Sequence, residues 1–219
     1  MVLETSYLPS LLADFATIAL TIFVAELTDK DALLLLALAT RLRPRVAFAS
    51  GAVAFTITTT IIVTVGYLLI QFIPIWAIKI AGGIIMIGYA AWGYFSEKRE
   101  ERSAEGEEEE ILKRASIKRT AWSAFAGAVA LLVVLDLAGD ATEVLTIVYV
   151  AHFDNVFLVF AGCVTALVSA SALETVLGSR LSRFLSVEKL RYISLAIFLI
   201  IGAYIITSTL FPDIIPGVL

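Results

Sequence analysis

The chemistry in this sequence lies in a few acidic residues set in otherwise apolar surroundings. One cluster holds Glu26, Asp29 and Asp31 beside Thr28 and Lys30; a second holds Asp136, Asp140 and Glu143 beside Thr142. On a helix, spacings of three and four place Glu26 with Asp29, and Asp136 with Asp140 and Glu143, along one face each. Close carboxylates repel one another unless a proton or a cation sits among them. Hard divalent ions such as Ca²⁺ and Mn²⁺ prefer oxygen ligands of this kind. The candidate metal ligands are therefore Glu26, Asp29, Asp136, Asp140 and Glu143. Thr28, Asp31, Thr142 and backbone carbonyls freed at a helix break could complete the shell. A plainer reading competes, in which Lys30 pairs with Asp29 or Glu26 and the acids cap half-helices. It suits one acid better than two clusters at equivalent positions.

The elements that must hold these acids are membrane helices. Of 219 residues, 60% are hydrophobic and 16% charged, with mean hydropathy +0.95. A soluble domain carries roughly a quarter charged residues, and here long stretches have no polar face. About 20 apolar residues cross a bilayer core, which gives spans near 8–29, 46–71, 75–95, 121–140, 156–179 and 192–211. Two shorter apolar pieces, Ala32–Leu42 and Val144–Ala151, follow the first and fourth spans and fit helices interrupted at mid-depth. A charge at the bilayer centre costs at least about 2.5–3.5 kcal/mol, so acids at those interruptions need a reason. The stretch 1–14 has no basic residue, unlike a cleavable signal peptide, and the first helix is expected to be retained.

Ser96–Thr120 holds eight Glu and seven Lys or Arg and reads as a solvated linker. It divides the chain into a first three-helix repeat (1–95), the linker (96–120) and a second repeat (121–219). With Asp29 set on Asp140, Gly51 falls on Gly162 and Val53 on Val164 at the same offset; Gly88 meets Gly202 with a small slip. Three crossings per half make the second repeat enter from the opposite side. That is the plan of many secondary transporters, whose sites lie near the midplane where discontinuous helices meet. The fold expected is all-α and membrane-integral: six transmembrane helices as two inverted repeats, the first and fourth broken at the acidic motifs. Fourteen of the sixteen Lys and Arg lie in the 41–45 loop, the linker and the 180–191 loop. Basic loops mark the cytoplasmic side, so the central loop is expected there and both termini outside.

Other residues carry less. A single His152 and a single Cys163 exclude a His- or thiolate-based metal cage and a disulfide framework. Glu174 lies inside the fifth span with Val63 as its counterpart; it could relay protons or face a hydroxyl such as Thr58 or Thr60. Asp14 and Lys79 fit the outer interface, where Lys79 can snorkel, and His152 fits the outer end of its helix. Gly82, Gly83 and Gly88 suit close helix packing, and Trp76, Trp92 and Trp122 suit interfacial anchoring. The tract Glu107–Glu110 reads as solvated linker.

The two acidic segments resemble a known motif. Glu26-Leu27-Thr28-Asp29-Lys30-Asp31 and Leu137-Ala138-Gly139-Asp140-Ala141-Thr142 are similar to paired Glu-x-Gly-Asp-(Lys/Arg)-(Thr/Ser) copies. Those copies mark the Golgi-type manganese/calcium–proton exchanger family, the small calcium:cation antiporter group of the lysine-exporter superfamily. The resemblance runs from about Phe15 to Leu210. The first copy keeps Glu, Asp and Lys; the second keeps Gly, Asp and Thr but has Leu137 at the Glu position and Ala141 at the basic one.

The resemblance implies a transporter, not an enzyme, that exchanges Mn²⁺ or Ca²⁺ for protons in a prokaryotic-type plasma membrane. Its partners would be divalent cations, protons and lipid, with no nucleic acid and no prosthetic group; a homo-oligomer is compatible. It carries over Glu26, Asp29 and Asp140 as ion ligands, and Thr142 with them. The missing carboxylate at Leu137 falls to Asp136, if a bulge turns it inward, or to Glu143; Asp136 is favoured. Two other readings stand beside this one. One is an exporter of another cation in the same superfamily. The other is an intramembrane aspartyl protease using Asp29 and Asp140, which lacks its usual Gly-x-Gly-Asp and Tyr-Asp elements here.

Overall fold

The structure is a computed structural model and describes residues 4–27, 32, 34, 35, 38, 39, 42–95, 121–137, 141–184 and 187–211. Of the sequence expectations, Thr28, Asp29, Asp31, Asp140 and the linker 96–120 lie outside the described residues. Among the described residues seven helices follow one another: α1 (Glu4–Glu26), α2 (Pro44–Phe72), α3 (Ile75–Phe95), α4 (Ala121–Asp136), α5 (Ala141–His152), α6 (Val156–Phe184) and α7 (Val187–Leu210). Residues 32, 34, 35, 38 and 39 are helical as well. Every element among the described residues is helical.

Local chemistry sets the boundaries. Pro44 opens α2, where its missing N–H costs nothing. Pro74 closes the same helix by forcing Ile73 into extended backbone, φ −117° and ψ 131°. The chain reverses through Ile73 and Pro74 alone, and the Pro74 carbonyl accepts the Ala77 N–H at 2.9 Å to start α3. Asn155 caps α6 by accepting the Leu158 N–H at 3.1 Å.

Among the described residues four segments are long and apolar enough to cross a membrane: Pro9–Glu26, Pro44–Phe72, Ile75–Phe95 and Val156–Val176. Their outer faces are greasy. Phe72, Trp76, Trp92, Trp122 and Phe157 are largely exposed, which water would penalise and lipid accepts. Thr56, Thr60 and Thr64 each donate to the carbonyl four residues back at 2.6 Å, so their hydroxyls present no unmet bond to hydrocarbon.

Inside, α1 lies along α6, α2 along both α4 and α6, and α3 along α7. α5 fits between α2 and α3 and also touches α1 and α6. With little hydrophobic drive between helices in lipid, contact depends on shape and small residues. A Cβ on Gly83 would sit 2.9 Å from the Gly202 carbonyl oxygen, and one on Gly202 would sit 2.8 Å from that of Gly83. That reciprocal contact sets the α3–α7 distance. Gly51 admits Leu35 and Ser171, and Gly162 admits Ile18. Gly88 meets nothing within 4 Å, so close packing explains Gly82 and Gly83 but not Gly88.

Of the expected fourth span, 121–140, α4 takes up 121–136, and α5 starts beyond it at Ala141. Asp136 and Glu143 stand on separate helices, and Asp140, expected on one face with them, lies outside the described residues. The separate apolar piece expected at Val144–Ala151 is α5.

Candidate cation site

Two helices end on a buried acid. Glu26 is the last residue of α1 and 1% exposed; Asp136 is the last residue of α4 and 4% exposed. After each comes a leucine whose N–H still bonds four residues back, Leu27 to Phe23 at 3.2 Å and Leu137 to Val133 at 3.1 Å. α-Helical hydrogen bonding thus persists through Leu137, and no bulge precedes it. Leu137 itself is 38% exposed. The second acid is turned inward because it stands one position before the leucine, as Glu26 stands before Leu27.

A helix carbonyl end is by itself a poor place for an anion. A helix C-terminus carries unsatisfied carbonyls and about half a negative charge. Neither α1 nor α4 has a basic residue in its last turn. A buried carboxylate at that end adds charge of the same sign in a low-dielectric place, whereas a cation there would meet both the carboxylate and the freed carbonyls.

α5 positions what lies across the second break. Thr142 is buried, and its carbonyl accepts the Thr146 hydroxyl at 2.8 Å. Thr146 also lies 3.6 Å from the Cys163 sulfur on α6, and Tyr149 is hydrogen-bonded to Thr21 on α1. These bonds fix α5 against the helix that ends in Glu26. Glu143 is half-buried in the first turn of α5, where the positive helix end suits a carboxylate without any cation. The structure thus brings Glu26 and Asp136 to matching helix ends, and Thr142 and Glu143 to the start of α5. Among the described residues no three of His, Cys, Asp and Glu come together as a metal cluster; Asp29, Asp31, Asp140 and Thr28 lie outside them.

Two features escaped the sequence reading, and a third narrows an alternative it left open. Lys79 donates to His152 Nδ1 at 2.6 Å, joining α3 to α5, so neither is a lone interfacial residue. The Thr21–Tyr149 bond links residues too far apart in sequence to be paired by any pattern. Glu174 is buried, and neither Thr58 nor Thr60 serves it, since both donate to their own helix backbone.

Residues 14–101 and 119–212 match the family described as divalent cation/proton antiporter GDT1. The chain belongs to that family. Searches of curated proteins and of solved structures gave no match. GDT1 proteins are transporters, not enzymes, and membership agrees with the resemblance carried by the two motif copies. The two matched segments leave out only the middle of the charged linker and the chain ends.

Proposed function

We propose that this GDT1 protein exchanges Mn²⁺ or Ca²⁺ for protons through a carboxylate site at the two helix breaks. The observation that carries this reading is the pair of buried acids, Glu26 and Asp136, each at the carbonyl end of an interrupted helix. In this reading they join Asp29 and Asp140 as the charged ligands. Thr28, Asp31, Thr142 and the carbonyls at the breaks supply neutral or accessory oxygens, and Glu143 stands at the edge of the site. Protons and metal compete for the same carboxylates, so loss of the cation on one side is paired with protonation.

The packing supports an inverted repeat of residues 1–95 and 121–219 about the linker 96–120. Exchanging the halves turns the α1–α6 pair into a pairing of α4 with α2, which is also present. It turns the α3–α7 and α2–α6 pairs into themselves. Six crossings result when α4 and α5 form one broken span and α1 forms another with residues 32–39. Basic loops then lie in the cytoplasm and both termini outside, in the plasma membrane of a prokaryotic-type cell. Rocking of one half against the other would expose the site alternately.

Purified protein in proteoliposomes, scanned with Mn²⁺, Ca²⁺, Mg²⁺ and Na⁺ against a lumenal pH dye, tests this. Mn²⁺ or Ca²⁺ should enter with proton exit, and Asp29→Asn and Asp140→Asn should each abolish it in folded protein. Coupled flux of only another ion would favour an exporter of different selectivity; none at all would overturn the reading.

A further inference from the structure

The carboxylates at the breaks leave one buried acid unused. Glu174 on α6 is 2% exposed, and no described residue gives a hydrogen bond to either of its side-chain oxygens. The hydroxyls of its own helix face are already spent on backbone: Ser171 donates to Leu167 at 2.8 Å and Thr175 to Ser171 at 2.7 Å. Across the interface, Ser50 on α2 donates to Val46 at 2.8 Å. Each hydroxyl has a single hydrogen, so these groups cannot stabilise a carboxylate.

Depth follows from the helix contacts. A Cβ on Gly162 would meet Ile18 of α1, and one on Gly51 would meet both Ser171 of α6 and Leu35. In the six-crossing topology proposed above, α1 and α6 run in the same direction, with α2 antiparallel to them. Eight residues beyond the Ile18–Gly162 contact, α1 reaches Glu26 and α6 reaches Ala170. Glu174 comes one turn later, roughly 6 Å closer to the face bearing Arg43 and Arg45. It lies near the end of the apolar stretch Val156–Val176, between the candidate cation site and the basic loops.

Among the described helices, those packed most closely against α6 are α1, α2 and, over a smaller area, α5, and Leu35 meets the same glycine as Ser171. Their described titratable and charged groups are Asp14 and Glu26 on α1, Arg45 and Tyr67 on α2 with Arg43 at its cap, and Glu143, Tyr149 and His152 on α5. Arg43 and Arg45 are exposed, and Tyr67 and His152 belong to the opposite ends of their helices. Tyr149 is bonded to Thr21. No described cation is buried beside Glu174, and the buried acid at a comparable depth, Glu26, would repel its charged form. A carboxyl so placed is stable as the neutral acid.

We propose that Glu174 is a proton-carrying group distinct from the cation ligands, passing protons between the carboxylate site and the face that bears the basic loops. One O–H bond forms at a Glu174 oxygen with a proton from water at that face. It breaks when the proton passes to a site carboxylate as the cation leaves; no electron moves. This rests on the exchange reading above, but the proton on Glu174 can be observed separately.

Infrared spectroscopy of the reconstituted protein at neutral pH should show the carbonyl stretch of a protonated carboxylic acid. The band should shift with carbon-13-labelled glutamate and vanish in Glu174→Gln. In transport, Glu174→Gln should keep exchange of labelled for unlabelled Mn²⁺ or Ca²⁺, while cation uptake driven by a proton gradient falls about tenfold or more. Glu174→Asp, which retains an acid, should restore the band and part of the coupled flux. A wild-type protein without the band, or a Glu174→Gln variant with unchanged proton-driven uptake, would overturn the proposal. If wild-type protein moves no divalent cation, the exchange reading falls, and the infrared band alone decides for or against a proton on Glu174.

Discussion

The α3–α7 contact offers a test in which one substitution at two glycines of the same helix has opposite outcomes. In Gly83→Ala the new methyl would lie 2.6 Å from Ile206 Cγ1 and 2.9 Å from the Gly202 carbonyl oxygen. Ordinary contact begins near 3.4 Å. The isoleucine can rotate, but the carbonyl belongs to backbone, so the two helices must part there by about 0.5 Å. A gap of that size forfeits a quarter to a half of each dispersion contact along the seam, and overpacking of this kind costs about 1–3 kcal/mol. Gly88→Ala meets nothing within 4 Å and should be neutral, or gain up to about 1 kcal/mol from helix propensity. Because Gly83 and Gly202 face each other, the double alanine variant should cost less than the sum of the single changes. Thermal unfolding of purified protein in one detergent would rank the variants. The packing argument fails if Gly83→Ala is as stable as wild type, or if Gly88→Ala loses as much.

Three further outcomes are expected. Asp136→Asn should weaken apparent Mn²⁺ or Ca²⁺ affinity by tenfold or more, about 1.4 kcal/mol at least, and change its pH dependence, while Glu143→Gln does little; the reverse result in metal titrations would move the ligand to Glu143. On a Cys163→Ser background, cysteines placed in 96–120 should label only from the cytoplasmic side and cysteines near either terminus only from outside. Labelling of the central loop from outside would overturn the topology and the repeat with it. A double-mutant cycle of Lys79→Met and His152→Gln should show a coupling of about 0.5–1.5 kcal/mol in thermal stability, against none if the 2.6 Å contact contributes nothing.

What the sequence disclosed depended on signals local to each helix. Runs of apolar residues gave α2 and α3 to within two residues at every boundary, because Pro44 and Pro74 stop the chain wherever it packs. Glu26 and Asp136 were legible as site candidates because an acid in an apolar run is costly. The end of α4 was not legible: Val133-Val134-Leu135-Asp136-Leu137 has no proline or cap to announce it, and an apolar run reads the same across a break as through a helix. Glu174 was visible as an anomaly, but its burial without a donor depends on where Ser50, Ser171 and Thr175 send their hydrogens. The Lys79–His152 bond joins two separate helices and had no sequence signal at all.

The divergent second motif is best understood through those helix ends. Aligning the aspartates Asp29 and Asp140 leaves the family glutamate position at Leu137. Aligning the helix ends instead sets Glu26 on Asp136 and Leu27 on Leu137, each pair sharing burial or hydrogen-bond geometry. The two alignments differ by a single residue, since Asp29 follows Glu26 by three and Asp140 follows Asp136 by four. Inside a helix an extra residue would rotate everything beyond it by about 100° and spoil one face or the other. α4 and α5 are separate helices, so an added residue between them need not rotate the faces of either. The acid at the carbonyl end is thus retained while the motif shifts around it. On this argument we propose Asp136, rather than Leu137 or Glu143, as the counterpart of Glu26, without the bulge that a continuous helix would require.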